Sequence, residues 1–458
     1  MSRSIVSKFG GSSVADAGQI EKVRNIVASN PNRRNIVVSA PGKDPLYREK
    51  ITDHLINIAT DGDHFRNTRK VPTVAQSREA VLGKFRSLMK DLAVQDAFPL
   101  EELRDDLEKG HEIKNLHQKT AFYASRGERY NAMLITSYFA SKGMNARACL
   151  PEDFGFILNG NALDGKVQPE SHDNILKIQD ETSINIIPGF YGITEDGEIA
   201  ILSRGGSDLT AGEVAFAVNA EKYENWTDTN GVYEADPRFI PGARVIPRLT
   251  FKEIRLLSCR GFNVFHFDAM ISCKKNKIPI NIRNTNRPDE KGTLILNERV
   301  PEEGVVGIAK LDNMAYVYLE KDLLGEMIGF TAELLKIFQE YNINTYHYPT
   351  DKDDIAVLVN QDDLVGIIND LRRDIEKKLN PDYMNVVYNQ AVITAVGLGL
   401  KGDSFTVMEA ISVLGEHHIP IEMIDQSPSQ ICFHIGLQQA VADEAIKILH
   451  DHLLNGKT

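Results

Sequence analysis

Two short stretches of this chain place a cation directly ahead of paired glycines at the end of an apolar run. They are Ser7-Lys8-Phe9-Gly10-Gly11-Ser12-Ser13-Val14 and Ser203-Arg204-Gly205-Gly206-Ser207-Asp208. Paired glycines let backbone approach a ligand closely, and a helix that starts just beyond them carries partial positive charge at its N-terminus. Both features suit an anion. The first stretch is not a Walker A loop, because there the lysine follows the glycines and here Lys8 precedes Gly10 and Gly11. Lysine acts on phosphate as a compact point charge, whereas Arg204 can grip a carboxylate through two parallel hydrogen bonds. Taken singly, each stretch also reads as a tight strand-to-helix turn beside a solvated cation. Two of them in one chain favour a phosphate and a carboxylate brought together. After the second pair, Ser207 or Asp208 can cap a helix, with Thr210 and Glu213 as a further Thr-x-x-Glu signature.

Other segments carry weaker signals. The run from Glu224 to Phe239 holds an Asn230-Gly231 turn and an Asp236-Pro237 stop, so it reads as a loop in which Asp228, taken alone, is a turn residue. Glu128 and Arg129 follow Gly127 and read as a helix start, with a capping acid and a surface ion pair as the plain alternative. Gly397, Gly399 and Gly402 match GxGxxG, and Asp425 follows at about the spacing of a dinucleotide fingerprint. Too little chain follows for the rest of such a sheet, and the repeat copy at 315–325 has no equivalent glycine pattern, so no dinucleotide site is expected there. Cys149, Cys259, Cys273 and Cys432 form no CxxC pair and no HExxH occurs, which points to buried reduced thiols and no resident metal.

The elements that must position these groups follow from periodicity. From residue 4 to 39 the pattern is strand, glycine loop, helix (Asp16 to Ala28, with Ile20, Val23 and Val27 on one face) and strand, which is a βαβ unit. Such units bind ligands at the C-terminal ends of parallel strands. Residues 50–142 are mostly helical in pattern, their charge runs being solvated faces, and strand signals return near 184, 198 and 278, so the chain to about 300 reads as one α/β domain. The remainder repeats itself at an offset of 76. Ala315, Val317 and Leu319 match Ala391, Ile393 and Ala395, and Ile355, Val357 and Val359 match Ile431, Phe433 and Ile435 (391 − 315 = 76; 435 − 359 = 76). Two copies of one βαββαβ module are expected. With 52 Lys and Arg against 64 Asp and Glu, the net charge of −12 argues against a nucleic-acid or anionic-membrane surface. No export signal or membrane span is expected either.

Assembled in order, KFGGSSV, VVSAPGK, SRGE, SRGGSD, TDTNGVYEADPR and the repeated tail make the chain resemble, over essentially its whole length, the aspartate kinases of the monofunctional type with two C-terminal ACT modules. The resemblance implies an α/β amino acid kinase fold, a mainly parallel sheet sandwiched by helices, over residues 1–300, then α+β ACT modules at 305–382 and 383–458. It implies cytoplasmic, ATP-dependent phosphorylation of the β-carboxylate of L-aspartate to 4-phospho-L-aspartate, the first step toward lysine, threonine and methionine. Mg2+ is expected to be held mainly through the ATP phosphates, with Asp208 assisting at most. Carried over by position, Lys8 stabilises the transferring phosphoryl, while Gly10, Gly11 and Ser12 line the phosphates. Ser39 lies in the second loop and Thr52 contacts substrate. Glu128 meets the aspartate ammonium and Arg204 its α-carboxylate, with Phe190, Ser207 and Asp208 nearby. Thr227, Asp228, Tyr233 and Arg238 form the ATP loop. The ACT modules imply an amino-acid effector and a homodimer or higher homo-oligomer.

The chain departs from the family pattern twice. Asn263 stands in "GFNVFH" where the family commonly has the lysine of "GAKVLH", and residues 343–352 read INTYHYPTDK where an effector segment commonly reads ISVDLITTSE. These departures favour one other reading, a catalytically weakened ACT-domain amino-acid sensor; a further alternative is another amino acid kinase that forms an acyl phosphate on a substrate of different length. Intact Lys8, Glu128, Arg204 and Asp208 weigh against the first, and a substrate panel separates the second.

Overall fold

The computed structural model describes residues 4–65, 72–95, 97–180, 182–203, 205–258, 268–301 and 304–455. Arg204, Cys259 and Asn263 lie outside the described residues. The chain divides into two compact units. The first takes Met1–Val232, Val245–Lys252 and Asn263–Arg299; the second takes Tyr233–Arg244, Glu253–Phe262 and Val300–Thr458.

The first unit is built on an eight-stranded sheet. Its strands are β1 (Ile5–Phe9), β2 (Arg33–Val38), β3 (Ala146–Ala148), β4 (Ile184–Pro188), β5 (Lys222–Thr227), β6 (Arg248–Thr250), β7 (Ile280–Asn284) and β8 (Thr293–Leu296). They lie in the order β6-β8-β7-β5-β1-β2-β4-β3. Every pair is parallel except β7 with β8. Helix α1 (Ala17–Ala28) makes the crossover from β1 to β2 and buries Ile20, Val23, Ile26 and Val27 at helical spacing. Helices α2 (Ile51–Ala59), α3 (Leu116–Ser141) and α4 (Gly206–Ala217) carry further candidate residues. All five residues of β1 are buried, as expected of a central parallel strand covered on both faces.

One buried ion pair ties the middle of this sheet together. Arg33 Nε lies 2.8 Å from Glu224 Oε2. The same carboxylate accepts from Ser7 Oγ and Trp226 Nε1 at 3.1 Å each. Burial pushes the Glu224 carboxyl up, but Arg33, Lys222 and Trp226 outweigh it and hold the group below its ordinary range. Breaking such a pair by removing one partner typically costs about 3–5 kcal/mol, so β1, β2 and β5 are held firmly behind the ends that carry Lys8, Ser39 and Asp228.

The second unit holds two copies of one module. The first is β9 (Gly307–Glu320), α5 (Phe330–Glu340), β10 (Asp354–Asn360) and α6 (Ile368–Leu379). The second is β11 (Tyr383–Val396), α7 (Ser404–Glu416), β12 (Met423–Asp425), β13 (Cys432–Gln438) and α8 (Gln439–His450). One antiparallel sheet joins them in the order β10-β9-β11-β13-β12. The 76-residue offset is physical. Ala315, Val317 and Leu319 pack into one helix-covered core, and Ala391, Ile393 and Ala395 into its counterpart. Alternate residues Met314, Tyr316 and Val392 turn to the other face. Gly397 caps no dinucleotide loop: a Cβ there would sit 2.2 Å from the Gly304 carbonyl, so backbone packing within this unit explains the glycine. No helix among the described residues is long and apolar enough to cross a membrane.

Candidate active site

The C-terminal ends of β1 and β2, together with α2, α3 and α4, surround a cleft of about 720 Å³ in the first unit. Lys8, Gly11, Ser12, Ser39, Thr52, Glu128, Phe190, Ser207, Asp208 and Asp228 all line it. Residues from seven separate stretches therefore meet in one place. Thr227 ends β5 beside Asp228, its hydroxyl 3.2 Å from the Asp228 carboxylate. Tyr233 and Arg238 belong to the second unit. There Tyr233 packs in a small apolar cluster with Phe239, and Arg238 pairs with Asp236 at 2.5 Å.

Lys8 is 8% exposed, and its Nζ sits 2.6 Å from Asp208 Oδ1. Asn225, the β5 residue in register with Lys8, donates Nδ2 to the same oxygen at 3.1 Å. A cation is thus stored against an anion at the strand end until a stronger anion competes for it.

The glycine loop differs from its expected form. The Gly10 amide does not face outward; it donates to the Trp226 carbonyl at 3.1 Å. A 3-10 turn, Gly11–Val14, separates the loop from α1, whose own first turn is satisfied by the Asp16 carboxylate through Gln19 N–H. The first glycines serve closeness instead. Gly42 N donates to Gly11 O at 2.9 Å, and a Cβ on Gly42 would stand 2.4 Å from that oxygen.

At the second glycine pair, Gly205 takes φ 77° as the N-cap of α4, a left-handed backbone that favours glycine, and no side chain caps the helix. Neither Ser207 nor Asp208 is the cap, because both lie inside the first turn. Thr210 Oγ1 instead donates to Gly206 O and accepts Phe190 N–H. Glu213 turns to His172 and Ser272, 2.6 Å from each. The uncapped first turn of α4, with Gly206, Ser207 and Asp208 lining the cleft, offers an anion the partial positive charge of a helix start. Phe190 holds φ 73°, a conformation that costs a non-glycine residue of order 1–3 kcal/mol and fixes its ring over Gly206.

Glu128 lies in the middle of α3, not at its start. Gly127 is required because a Cβ there would come within 2.7 Å of Ala40 Cβ, so the glycine marks close packing of α3 on the loop after β2. Burial raises the Glu128 carboxyl to about 8, only partly offset by hydrogen bonds from backbone, Ala40 first. Its Oε2 has no partner within the protein. A buried carboxylate oxygen without a donor, on a residue that lines the cleft, is a candidate acceptor for a ligand ammonium. Lys43, Lys50 and Asp53 also line the cleft. Lys43 was open to discovery, since Ala40-Pro41-Gly42-Lys43 again ends a strand with glycine beside a cation; Lys50 and Asp53 had no comparable signal.

Comparisons with known proteins converge on one family. The model of the amino acid kinase family matches residues 3–284, and that of an ACT domain matches residues 393–453. Aspartokinase 3 of Bacillus subtilis is 34% identical over 455 residues, covering 98% of this chain and 99% of its own. The crystal structure of Clostridium acetobutylicum aspartate kinase superposes with a TM-score of 0.83 at 30% identity, over 98% of this chain and all of that one. Escherichia coli aspartokinase III shares the fold at 22% identity and TM-score 0.78, over 98% of this chain and 99% of its own. The chain accordingly belongs to the monofunctional aspartate kinases, which use ATP to phosphorylate aspartate at the head of aspartate-family amino-acid biosynthesis.

Proposed function

We propose that Lys8, Glu128, Arg204 and the start of α4 divide the work of the cleft between phosphate and aspartate. The observation that carries this is the buried Glu128 Oε2, which lacks a protein donor and belongs to a residue lining the cavity that also holds the Lys8–Asp208 pair. Glu128 receives the substrate ammonium, Arg204 takes the α-carboxylate, and Ser39, Thr52, Phe190 and Ser207 shape the pocket between them.

The β-carboxylate is already an ionised nucleophile, so no general base is needed. One of its oxygens forms a bond to the γ-phosphorus as the bond to the β-phosphate oxygen breaks, and ADP leaves. The difficulty is bringing an anion to a polyanion. Lys8 lowers that barrier by following charge onto the transferring phosphoryl, while Asp208 and Asn225 keep the ammonium at the correct strand end. Gly10, Gly11 and Ser12 provide the close backbone surface, and Thr227 and Asp228 form the nucleotide side. Mg2+ bound chiefly through ATP phosphates asks few oxygens of the protein. Asp208, which already accepts from Lys8 and Asn225, supplies at most one.

We place the ACT modules at 305–382 and 383–458 and assign them an amino-acid effector and subunit pairing into a homodimer or higher oligomer, in a cytoplasmic enzyme with a kinase domain over 1–300. The buried cysteines Cys149, Cys273 and Cys432 suit that compartment. ATP consumption with a panel of acidic amino acids, with and without lysine, threonine and methionine, tests catalysis and regulation together. Turnover is expected with aspartate alone; folded protein without aspartate-dependent turnover overturns the assignment of the cleft.

A further inference from the structure

On the face of the second unit's sheet away from its helices, two histidines and a carboxylate converge. His434 lies on β13, and Asp425 stands opposite it in the β12 register. His347 sits on a segment that bridges to β10, with Leu358 N–H donating to the His347 carbonyl at 3.0 Å. The 76-residue offset makes this segment the repeat counterpart of β12 (423 − 347 = 76). One ligand atom from each of the three residues lies within 4.8 Å of the other two. The imidazole centroids are 4.6 Å apart with planes tilted by 59°. His347 Nδ1 is 3.0 Å from Asp425 Oδ2. Both histidines are buried, and Asp425 opens to solvent, which gives the cluster an entry path.

The surroundings of His434 orient it further. Thr394, its cross-strand partner on β11, holds Nδ1 with its hydroxyl at 2.9 Å. In the tautomer that donates Nδ1–H to Thr394, the Nε2 lone pair is the one presented to a ligand, the usual arrangement behind a metal-binding imidazole. Nε2 itself lies 3.6 Å from Cys432 Sγ, two residues along the same strand face.

We propose that His347, His434 and Asp425 bind a late first-row divalent cation such as Zn2+, with Cys432 as a fourth donor. Two imidazoles, one carboxylate and a thiolate are the nitrogen, oxygen and sulfur set such ions prefer, and are too soft a set for Mg2+ or Ca2+. The plain alternative is a polar cluster closed by its own hydrogen bonds. Against it stand donors drawn from three separate segments of two repeats, a ring set by an outer partner, and sulfur beside the nitrogen. No donor belongs to the aspartate and ATP cleft. A bound ion cross-links the first repeat, through His347, to the β12–β13 pair of the second, so it acts on the regulatory modules.

The test is Co2+ titration of the full-length, chelator-treated protein with Mg2+ in excess, followed by visible absorption and by metal content after gel filtration. Binding at micromolar concentration, with one equivalent per chain and the intense d–d bands of a four-coordinate ion, is expected. Zn2+ should displace it. His347→Gln and Asp425→Asn should each weaken binding at least tenfold, and Asp425, being solvent-exposed, offers the variant that keeps the fold. Cys432→Ser should remove the near-ultraviolet sulfur-to-cobalt band. Absence of saturable uptake, a weak octahedral spectrum, or binding unchanged in both His347→Gln and Asp425→Asn overturns the site. A parental spectrum without the sulfur band overturns the role given to Cys432.

Discussion

Glu128 makes the sharpest forecast, because its burial sets a price on both folding and binding. Its carboxyl rises from an ordinary 4.5 to about 8. Between these values the native state keeps a proton that the unfolded chain has already lost, so stability falls as pH rises through this window. At pH 7 the difference spans 2.5 pH units above the unfolded value, or about 3 kcal/mol at 1.36 kcal/mol per unit. Glu128→Gln escapes that cost, and its melting temperature relative to the parent should climb steadily from pH 5 to pH 8 while aspartate binding is lost. The parent carries only about 9% of Glu128 ionised at pH 7, so apparent aspartate affinity should improve roughly tenfold toward pH 9. Binding then selects the ionised form and should release about 0.9 proton per aspartate at pH 7, read by titration calorimetry in two buffers of different ionisation enthalpy. A pH-independent gap in melting temperature between variant and parent, or aspartate binding without proton release, refutes the reasoning.

Two further substitutions probe the loops. Lys8→Ala should cut kcat by a factor of about 10² to 10³ with a smaller change in the KM for aspartate, by steady-state kinetics. Because it also strands Asp208, the double change with Asp208→Asn should recover melting temperature but not kcat. Gly42→Ala, whose Cβ would lie 2.4 Å from the Gly11 carbonyl, should impair ATP and aspartate kinetics together. A change confined to one substrate would contradict the contact.

The first βαβ unit was legible because two short apolar-rich runs flank a clear helical face there; Ile5–Phe9, Ala17–Ala28 and Arg33–Val38 follow that pattern closely. The two-module tail was legible for a different reason, since repetition of core positions is a stronger signal than the propensity of any segment. Gly127 makes the sequence suggest a helix start at Glu128, because glycine usually breaks a helix, yet tertiary contact with Ala40 overrides that local preference. Ser207 and Asp208 have the chemistry of caps, but the left-handed turn at Gly205 leaves them one step inside α4, where their side chains face the cleft. The outward-facing amide expected of Gly10 was lost to pairing with Trp226, a partner 216 residues away that no local pattern reveals. The grouping of Tyr233–Arg244 with the second unit likewise rests on contacts such as Glu234 with His450, distant in sequence.

The hydrogen bond from Gly42 to Gly11 has a mechanical meaning. It couples the turn after β1 to the turn after β2, so the two behave as a single moving part. That part reaches Lys8 at one end and, through the Ala40 amide, the Glu128 carboxylate at the other. A substitution that displaces Gly11 should therefore be felt at Glu128 as well as at Lys8, although the two side chains stand on different elements.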